Sequence, residues 1–256
     1  MKSNQVGKVF LVGAGPGDPE LLTLKAVRAL AIADVILIDD LVNRDVLQHA
    51  SADARVIEVG KRGGCKSTPQ TFIEKLMITE AKAGYNVVRL KGGDPFMFGR
   101  GGEECASLRA ENIDVDVING ISAGMAAPAA LGIPVTHRDV CHGVIFVTGH
   151  GKGDESPNWH TLAQTGLTLV IYMAIGNLAE IAAALERGGL SGDTPACAIQ
   201  HATLANQRQV VSTLQNLAHK VNAVGLSSPS IVVIGNVVRY HHVVRQDILA
   251  AARLVA

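Results

Sequence analysis

The sequence predicts an α/β protein built from two α/β domains. In the first half, short runs rich in Val, Ile and Leu alternate with stretches of helical periodicity, an order typical of a mostly parallel sheet covered by helices. This pattern changes after about Gly132, and the 256 residues allow one large or two small domains at roughly 150 residues each. We expect an N-terminal domain at residues 1–120 and a C-terminal domain at 121–256, with the boundary between 120 and 143.

Composition and charge exclude several classes of protein. Hydrophobic residues make up 48% of the chain, which excludes a disordered polypeptide. Lys and Arg together number 23, as do Asp and Glu, and this balance argues against nonspecific binding of nucleic acid, which depends on neutralising phosphates. No apolar run approaches the roughly 18 residues of a membrane span, so we expect a cytoplasmic protein with no membrane partner. The nine histidines and four cysteines lack the spacing of metal ligands, and no metal is expected.

Five strands are expected in the first half. Each is a short apolar run, which is typical of strands buried on both faces of a sheet. They are Lys8–Val12, Val35–Ile38, Arg55–Val59, Asn86–Leu90 and Val115–Ile118.

Helices are expected between these strands. Asp18 followed by Pro19 has the pattern of a helix cap with proline in the first turn, and it predicts a helix that runs to about Ala33. The other predicted helices run from Thr68 to near Gly84, over Glu103–Glu111 and over Ser122–Leu131.

The second half is predicted to contain closely spaced strands. Four of them are Gly143–Thr148, Leu167–Tyr172, Ala196–Gln200 and Ser230–Ile234. A fifth, Gln209–Val211, is expected to pair antiparallel with Ala196–Gln200. The segment His242–Val255 is predicted to be helical.

The loop Gly13–Asp18 follows a strand and precedes a predicted helix. It nearly matches the GxGxxG pattern of dinucleotide-binding proteins, but it departs from it at two positions. Asp18 replaces the third glycine and would repel a pyrophosphate, and Pro16 removes one backbone donor. The loop therefore favours close approach of another backbone or of an uncharged ligand, although a plain strand–helix turn explains it about as well.

A second glycine-rich loop, Lys91–Glu104, is the most unusual stretch of the sequence. It follows the carboxyl end of a predicted strand, where open α/β sheets bind ligands. Its glycines permit close approach of backbone and ligand, Asp94 offers an acceptor, and Phe96 offers an apolar wall. A binding role is therefore favoured over an ordinary loop in which Glu103 and Glu104 only favour the start of a helix.

Charged residues also follow the second and third predicted strands. Asp39 ends one strand and Lys61 follows the next, so both are expected at one edge of the sheet. Asp39 suits a base, an acceptor for N–H groups or a simple strand end, and in a dinucleotide-binding fold Asp39 or Asp40 would hold a ribose hydroxyl. Basic residues that together suit a small polyanion are Lys61, Arg62, Arg100 and Arg138.

Five segments resemble motifs of the tetrapyrrole methylase family. They are Val12–Asp18, Val59–Arg62, Lys91–Glu104, Asn119–Ala123 and Gly132–Arg138, and they occur in the family's order. The resemblance extends from about Lys8 to about Arg239. Within the family, the set is similar to the branch that methylates uroporphyrinogen III.

This resemblance implies the tetrapyrrole methylase fold, in which S-adenosylmethionine binds in a cleft between two α/β domains, and a homodimer. Carried over residue by residue, it implies cofactor contacts at Pro16, Gly92, Gly93, Asp94, Met97, Ser122, Ala123, Met173 and Ala202. It implies catalytic roles for Asp39, Lys61 and Arg100, and substrate contacts for Arg100, Glu103 and Arg138. The sequence departs from the family at Ile38, where relatives often have Tyr.

The implied activity is methylation of uroporphyrinogen III at C2 and C7, which gives precorrin-2 for sirohaem, cobalamin or another modified tetrapyrrole. Three other possibilities stay open at this point. One is a noncatalytic regulatory α/β module, which would show no turnover with any methyl donor. A related methylase of a later corrinoid precursor would share the cofactor half of the site. A dinucleotide-dependent oxidoreductase would need phosphate donors where Asp18 stands.

Overall fold

The structure of the protein is a computed structural model that describes residues 6–60, 68–150 and 156–242. The chain divides into two compact units, residues 1–123 and 124–256. Each unit contains one five-stranded sheet. The predicted fold class of two α/β domains is therefore confirmed.

The first unit is built on a parallel sheet. Its strands lie close to the five apolar runs and are β1 (Val9–Gly13), β2 (Val35–Ile38), β3 (Arg55–Glu58), β4 (Val87–Lys91) and β5 (Val115–Ile118). They lie in the order β3-β2-β4-β1-β5, and every pair is parallel. All five carboxyl ends, with the loops that follow them, therefore share one edge of the sheet.

Helices cover both faces of this sheet because its strands are apolar on both sides. The α-helices are α1 (Leu24–Ala31), α2 (Gln70–Lys82) and α3 (Gly101–Ala110), and the 3-10 helices are Pro19–Leu21 and Arg44–His49. Alternate residues of one strand face opposite sides: Val12 packs in a core with Leu30 of α1, whereas Leu11 packs in a core with Met77 of α2 and Leu108 of α3.

The prediction of a single helix from Asp18 to Ala33 is wrong, because the structure has a 3-10 helix and then α1 in this segment. The Asp18 carboxylate accepts a hydrogen bond from Glu20 N and caps only the 3-10 helix that begins at Pro19. The chain then becomes extended at Leu22 and Thr23, and the Thr23 hydroxyl caps α1 by accepting a hydrogen bond from Ala26 N. Two capping side chains within six residues divide the segment, because each satisfies amide donors that a continuous helix would use.

The strand order creates a switch point between β1 and β4. The connection from β1 leads to β2 on one side, and the connection from β4 leads to β5 on the other. Ligands of open parallel sheets bind outside the carboxyl ends of the strands at such a point. The two glycine-rich loops, which follow β1 and β4, occupy this position.

The second unit has a mixed sheet. Its strands are β6 (Val144–Thr148), β7 (Thr168–Tyr172), β8 (Pro195–Gln200), β9 (Arg208–Thr213) and β10 (Ser230–Ile234), in the order β6-β7-β10-β8-β9. Only β6 and β7 are parallel to each other. The predicted antiparallel pairing of Gln209–Val211 with Ala196–Gln200 is confirmed, with Ala198 opposite Val210.

Three helices that were not predicted from the sequence pack on this sheet. The helix predicted at Ser122–Leu131 is α4 (Ala123–Ala129), and the additional ones are α5 (Trp159–Ala163), α6 (Leu178–Arg187) and α7 (Leu214–Ala223). Apart from His242, the helix predicted at His242–Val255 lies outside the described residues. None of the helices in the described ranges is long and apolar enough to span a membrane.

Candidate active site

The loops after β1 and β4 are joined by their backbones. Gly93 N donates to Gly15 O at 2.7 Å, and Gly15 N donates to Gly93 O at 3.2 Å. Ala14 N donates to Lys91 O at 2.8 Å. These amides are thus already used within the protein, where a dinucleotide-binding loop would offer them to a phosphate. The prediction that this loop allows close approach of another backbone is confirmed.

The loop after β5 packs against the same two loops at Gly120. A methyl group built on Gly120 would lie 2.2 Å from Gly93 O and 2.8 Å from the carbonyl carbon of Gly13. A methyl group built on Gly13 would lie 2.4 Å from Gly120 N. The backbones therefore meet at a distance that only glycine allows at these positions.

Asp94 fastens the loop after β4 to the loop after β5. Its Oδ1 accepts a hydrogen bond from Phe96 N at 2.8 Å, and its Oδ2 accepts from Asn119 Nδ2 at 3.1 Å and Gly120 N at 3.2 Å. Sequence reasoning assigned this carboxylate to a ligand, whereas three protein donors already occupy it. Asp94 thus organises the loops, and its contact with a cofactor stays a prediction.

The remaining cofactor residues predicted in the first unit lie around this junction. A methyl group built on Gly93 would lie 3.7 Å from Ala123 N and 3.9 Å from Ser122 Cα. Met97 N donates to Asp94 O at 3.2 Å. The predicted positions that are neither fully buried nor fully exposed are Pro16, Gly92, Gly93, Asp94, Met97, Ser122 and Ala123. The structure therefore brings these seven residues to one partly open edge of the sheet.

In the second unit, the two predicted cofactor residues lie where the backbone is unusual. Met173 follows β7 with φ of 53°, and 47% of its surface is exposed. Ala202 is buried between His201, with φ of 49°, and Thr203, with φ of 69°. Residues other than glycine seldom adopt positive φ, and such strain concentrates at functional sites. Both positions therefore suit recognition of a ligand by backbone atoms.

Asp39 follows β2 and is joined to a buried group of charges. Its Oδ1 lies 2.9 Å from Arg89 Nη2, and its Oδ2 lies 3.9 Å from Lys91 Nζ. Arg89 Nε donates to Glu104 Oε1 at 3.1 Å, and Lys91 Nζ lies 3.3 Å from both oxygens of Glu104. We call Asp39, Arg89, Lys91 and Glu104 the charge cluster. It contains two cations and two carboxylates, so its formal charge is zero.

Burial distinguishes the members of the charge cluster. The side chain of Glu104 is 0% exposed, that of Arg89 2% and that of Lys91 6%, whereas that of Asp39 is 30% exposed. Burial, reinforced by the charge of Arg89, lowers the pKa of Lys91 below its usual value, although Glu104 and Asp39 oppose this effect. Asp39 is therefore the member that is open to a substrate.

Sequence reasoning missed Arg89 and Lys91 as members of the site and gave Glu104 only a role at a helix end. One signal was available: Arg89 and Lys91 are charged residues two positions apart in an otherwise apolar strand. Residues at that spacing point to the same face of a sheet. Buried charges need partners, so the pair predicts an acidic partner from another element, and α3 supplies Glu104.

Arg100 and Glu103 are brought together at the start of α3. Arg100 Nε donates to Glu103 Oε1 at 2.9 Å, and a second bond joins Nη2 to Oε2. The bonds from Glu103 raise the pKa of Arg100 above its usual value, so the guanidinium stays charged. Both side chains are more than half exposed.

Three predicted residues cannot be joined to this arrangement. Lys61 and Arg62 lie outside the described residues. Gly60, which precedes Lys61, packs closely on Asp40, since a methyl group built on Gly60 would lie 2.3 Å from Asp40 N. Arg138 is exposed and belongs to the second unit.

Comparisons with known proteins show similarity to one family of methylases over most of the chain. The model of the tetrapyrrole (corrin/porphyrin) methylases matches residues 8–218. The chain is 54% identical over 233 residues to the uroporphyrinogen-III C-methyltransferase of Pseudomonas aeruginosa, which covers 91% of this chain and 95% of that protein. It is 48% identical over 240 residues to the enzyme of that name from Bacillus subtilis, with 93% of each chain covered.

A solved structure is similar across both units. It is the uroporphyrin-III C-methyl transferase from Thermus thermophilus complexed with S-adenyl homocysteine. The TM-score is 0.78 at 39% identity, and 91% of this chain and 94% of that chain are covered.

Proposed function

We propose, because this chain belongs to the tetrapyrrole (corrin/porphyrin) methylase family, that it is an S-adenosylmethionine-dependent uroporphyrinogen-III C-methyltransferase. It transfers two methyl groups, to C2 and C7 of uroporphyrinogen III, and gives precorrin-2 and two molecules of S-adenosylhomocysteine. The observation that carries this proposal is the 54% identity to an enzyme of this name over 95% of that enzyme's length. The alternative of a dinucleotide-dependent oxidoreductase loses its support, since Ala14 and Gly15 donate their amides within the protein.

The described residues fit the cofactor. S-adenosylmethionine is a cation without phosphate, so it needs backbone acceptors and apolar contacts, and the free amides of a phosphate loop are not required. Gly93 leaves room beside the backbone, since a methyl group built on it would meet Ala123 N at 3.7 Å, whereas one built on Gly92 would lie 3.1 Å from Leu41 Cβ. Met173 presents its backbone at positive φ. The residues that would hold the cofactor are Pro16, Gly92, Gly93, Asp94, Met97, Ser122, Ala123, Met173 and Ala202. When bound, the cofactor supplies an electrophilic methyl group on a sulfonium.

The substrate presents eight carboxylates and four pyrrole N–H groups, and each kind has a matching residue. Arg100 and Arg138 bind carboxylates of the substrate, and Glu103, also a predicted substrate contact, accepts two hydrogen bonds from Arg100 and orients its guanidinium. Asp39, whose carboxylate is partly exposed, accepts hydrogen bonds from pyrrole N–H groups or takes the final proton. Lys61, the other predicted catalytic residue, lies outside the described residues.

The reaction depends mainly on the correct placement of the two reactants. A pyrrole carbon of the reduced tetrapyrrole is electron-rich and attacks a methyl group in line without activation. The protein therefore contributes by holding both reactants at the correct distance and by excluding water. The close packing of Gly13, Gly93 and Gly120 supports that role, because it joins the loops that carry the cofactor residues.

We also propose that the enzyme is a homodimer and works in the cytoplasm. The family resemblance supports the dimer. The free thiols of Cys105, Cys141 and Cys197 are compatible with a reducing compartment.

Methyl transfer to uroporphyrinogen III tests the proposed function. The purified protein is incubated under anaerobic conditions with S-adenosylmethionine and enzymatically made uroporphyrinogen III. We expect a tetrapyrrole heavier by two CH2 units, since each added methyl group replaces a proton, and two molecules of S-adenosylhomocysteine for each product, measured by mass spectrometry. The folded protein could instead bind S-adenosylhomocysteine and methylate only a later corrinoid precursor. That result would contradict uroporphyrinogen III as the substrate and identify the later precursor as the substrate.

A further inference from the structure

Arg89 lies in the middle of the charge cluster and touches both of its carboxylates. Nε donates to Glu104 Oε1 at 3.1 Å, and Nη2 lies 2.9 Å from Asp39 Oδ1. Nη1 donates to the backbone oxygens of Leu37 and Leu90 at 3.4 Å. All three nitrogens of the guanidinium are therefore engaged, and its orientation is fixed by β2, β4 and α3 together.

We propose that Arg89 is a positioning residue that holds the Asp39 carboxylate in the orientation required for methyl transfer. This inference rests on the proposed function and extends it to a residue that itself stays away from the substrate. Arg89 is 2% exposed, and Asp39, directly above it, is 30% exposed. The buried cation thus fixes one oxygen of Asp39 from inside the protein, and the carboxylate opens to the outside.

The two oxygens of Asp39 have different surroundings. Oδ1 is held by Arg89 at 2.9 Å, whereas Oδ2 is 3.9 Å from Lys91 Nζ, which is beyond hydrogen-bond distance. Oδ2 is therefore the oxygen that accepts a pyrrole N–H. Because Arg89 fixes the plane of the carboxylate, it also fixes the direction from which the N–H group must approach.

Only arginine can join the two carboxylates in this way. The planar guanidinium offers Nε to Glu104 on one side and Nη2 to Asp39 on the other, whereas a lysine ammonium is a point charge on a flexible chain. Glu104 in turn is anchored by Gln70, whose Nε2 donates to Glu104 Oε1 at 3.0 Å. Gln70 thus contacts Glu104, Glu104 contacts Arg89, and Arg89 contacts Asp39.

A double-mutant cycle on Arg89→Lys and Asp39→Asn tests this proposal. Arg89→Lys keeps the buried charge beside Glu104 but loses the fork, and we expect the single-turnover rate of methyl transfer to fall about 10- to 100-fold. The affinity for S-adenosylhomocysteine is expected to stay within about twofold, because the side chain of Arg89 contacts Asp39, Glu104 and the backbone of β2 and β4 and, in the described part of the chain, none of the predicted cofactor residues. In the Asp39→Asn background, Arg89→Lys is expected to cause no further loss of rate.

The matched control is Arg55→Lys. Arg55 also lies in the first sheet and pairs with a glutamate, Glu80, but it is 53% exposed and lies at the opposite end of its strand from the site. This variant should transfer methyl groups at the wild-type rate. If Arg89→Lys fails to fold, Glu104→Gln loosens the anchor of Arg89 while keeping one acceptor, and the same cycle with Asp39→Asn is measured.

Two results would overturn the proposal while the wild type remains active. One is a wild-type rate for the folded fraction of Arg89→Lys with only its melting temperature lowered, which is the pattern of a purely structural residue. The other is a loss of rate in the double variant equal to the sum of the two single losses in free energy. A wild-type protein that methylates no tetrapyrrole would contradict the proposed function itself, which separates the two failures.

Discussion

Lys91 is a lysine that the fold removes almost completely from water. Its side chain is 6% exposed, and burial lowers its pKa below the usual value of 10.5. Removing one partner of a buried ion pair typically costs about 3–5 kcal/mol, since it leaves the other charge without compensation. The geometry of the charge cluster shows why Lys91 is tolerated: two carboxylates lie within 4 Å of its ammonium.

The lowered pKa of Lys91 predicts a pH dependence of stability with a definite sign. Between the lowered value and 10.5, the folded protein binds fewer protons at this group than the unfolded chain does, so the free energy of unfolding rises with pH. We compare the wild type with Lys91→Met by urea unfolding from about pH 7 to about pH 10. The free energy of unfolding of the wild type minus that of the variant is expected to increase as the pH rises. If this difference stays constant or decreases, the burial of a charged Lys91 is contradicted.

Arg100 shows how neighbouring glycines permit a strained residue. It adopts φ of 58° at the start of α3, and no side chain caps the helix there. A methyl group built on Gly99 or Gly101 would lie 2.7 Å or 2.5 Å from Pro95 O, so larger residues on either side would push the turn open. A residue other than glycine in this conformation costs of order 1–3 kcal/mol. Such strain is typical of a residue held for function, in agreement with the proposed contact to a carboxylate of the substrate.

At the scale of elements, the site depends on three loops that meet at glycines. The loops after β1, β4 and β5 are joined by the contacts of Gly13, Gly93 and Gly120, and by the hydrogen bonds of Asp94 to Asn119 and Gly120. These contacts involve backbone atoms, which cannot move aside as a flexible side chain can. The three loops are therefore packed tightly together at the carboxyl edge of the sheet.

Gly120→Ala is expected to disturb this junction. The added methyl group would lie 2.2 Å from Gly93 O, and relief of such overpacking typically costs about 1–3 kcal/mol. We expect a lower free energy of unfolding by urea and weaker binding of S-adenosylhomocysteine by calorimetry. In the control Gly102→Ala, a methyl group meets no atom within 4 Å in the first turn of α3. That variant should be neutral or stabilised by about 0.4–1 kcal/mol, and equal behaviour of the two variants would disprove the close packing.

At the scale of the whole molecule, the two units have separate hydrophobic cores. One core is formed by residues between 159 and 234, and two others, on opposite faces of the parallel sheet, are formed by residues between 9 and 118. In each unit the central strands are the most buried: every residue of β4 and of β7 is buried, whereas three of the four residues of β3 are exposed.

This arrangement predicts two separate regions of slow hydrogen exchange. The slowest amides are expected in β2, β4 and β1 of the first unit and in β7, β10 and β8 of the second, because these strands are paired on both sides. The edge strands β3, β5, β6 and β9 should exchange earlier, since within the described residues each pairs with a strand on one side only. Hydrogen exchange followed by mass spectrometry measures this order. Equal protection of β3 and β4 would show that burial in the sheet does not set the order of local opening.

The sequence by itself determined the strands and the parallel character of the first sheet. Short apolar runs such as Val35–Ile38 are local patterns, and a strand buried on both faces needs no information from elsewhere in the chain. The motifs of the two glycine-rich loops likewise determined the family, which the comparisons confirm. The helix α6 carried the same kind of local signal in the spacing of Leu178, Ile181, Ala182 and Leu185, although it was not among the predicted elements.

Only the tertiary structure decided which charged residues meet. Asp39 follows β2, whereas Arg89 lies in β4 and Glu104 in α3. They are joined because β2 and β4 are neighbours in a sheet whose order differs from the order of the chain. The same holds for Asp94, whose donors Asn119 and Gly120 follow β5. Periodicity and spacing describe one element at a time. An ion pair across elements depends on which strands are adjacent, and that is set by packing of the whole unit.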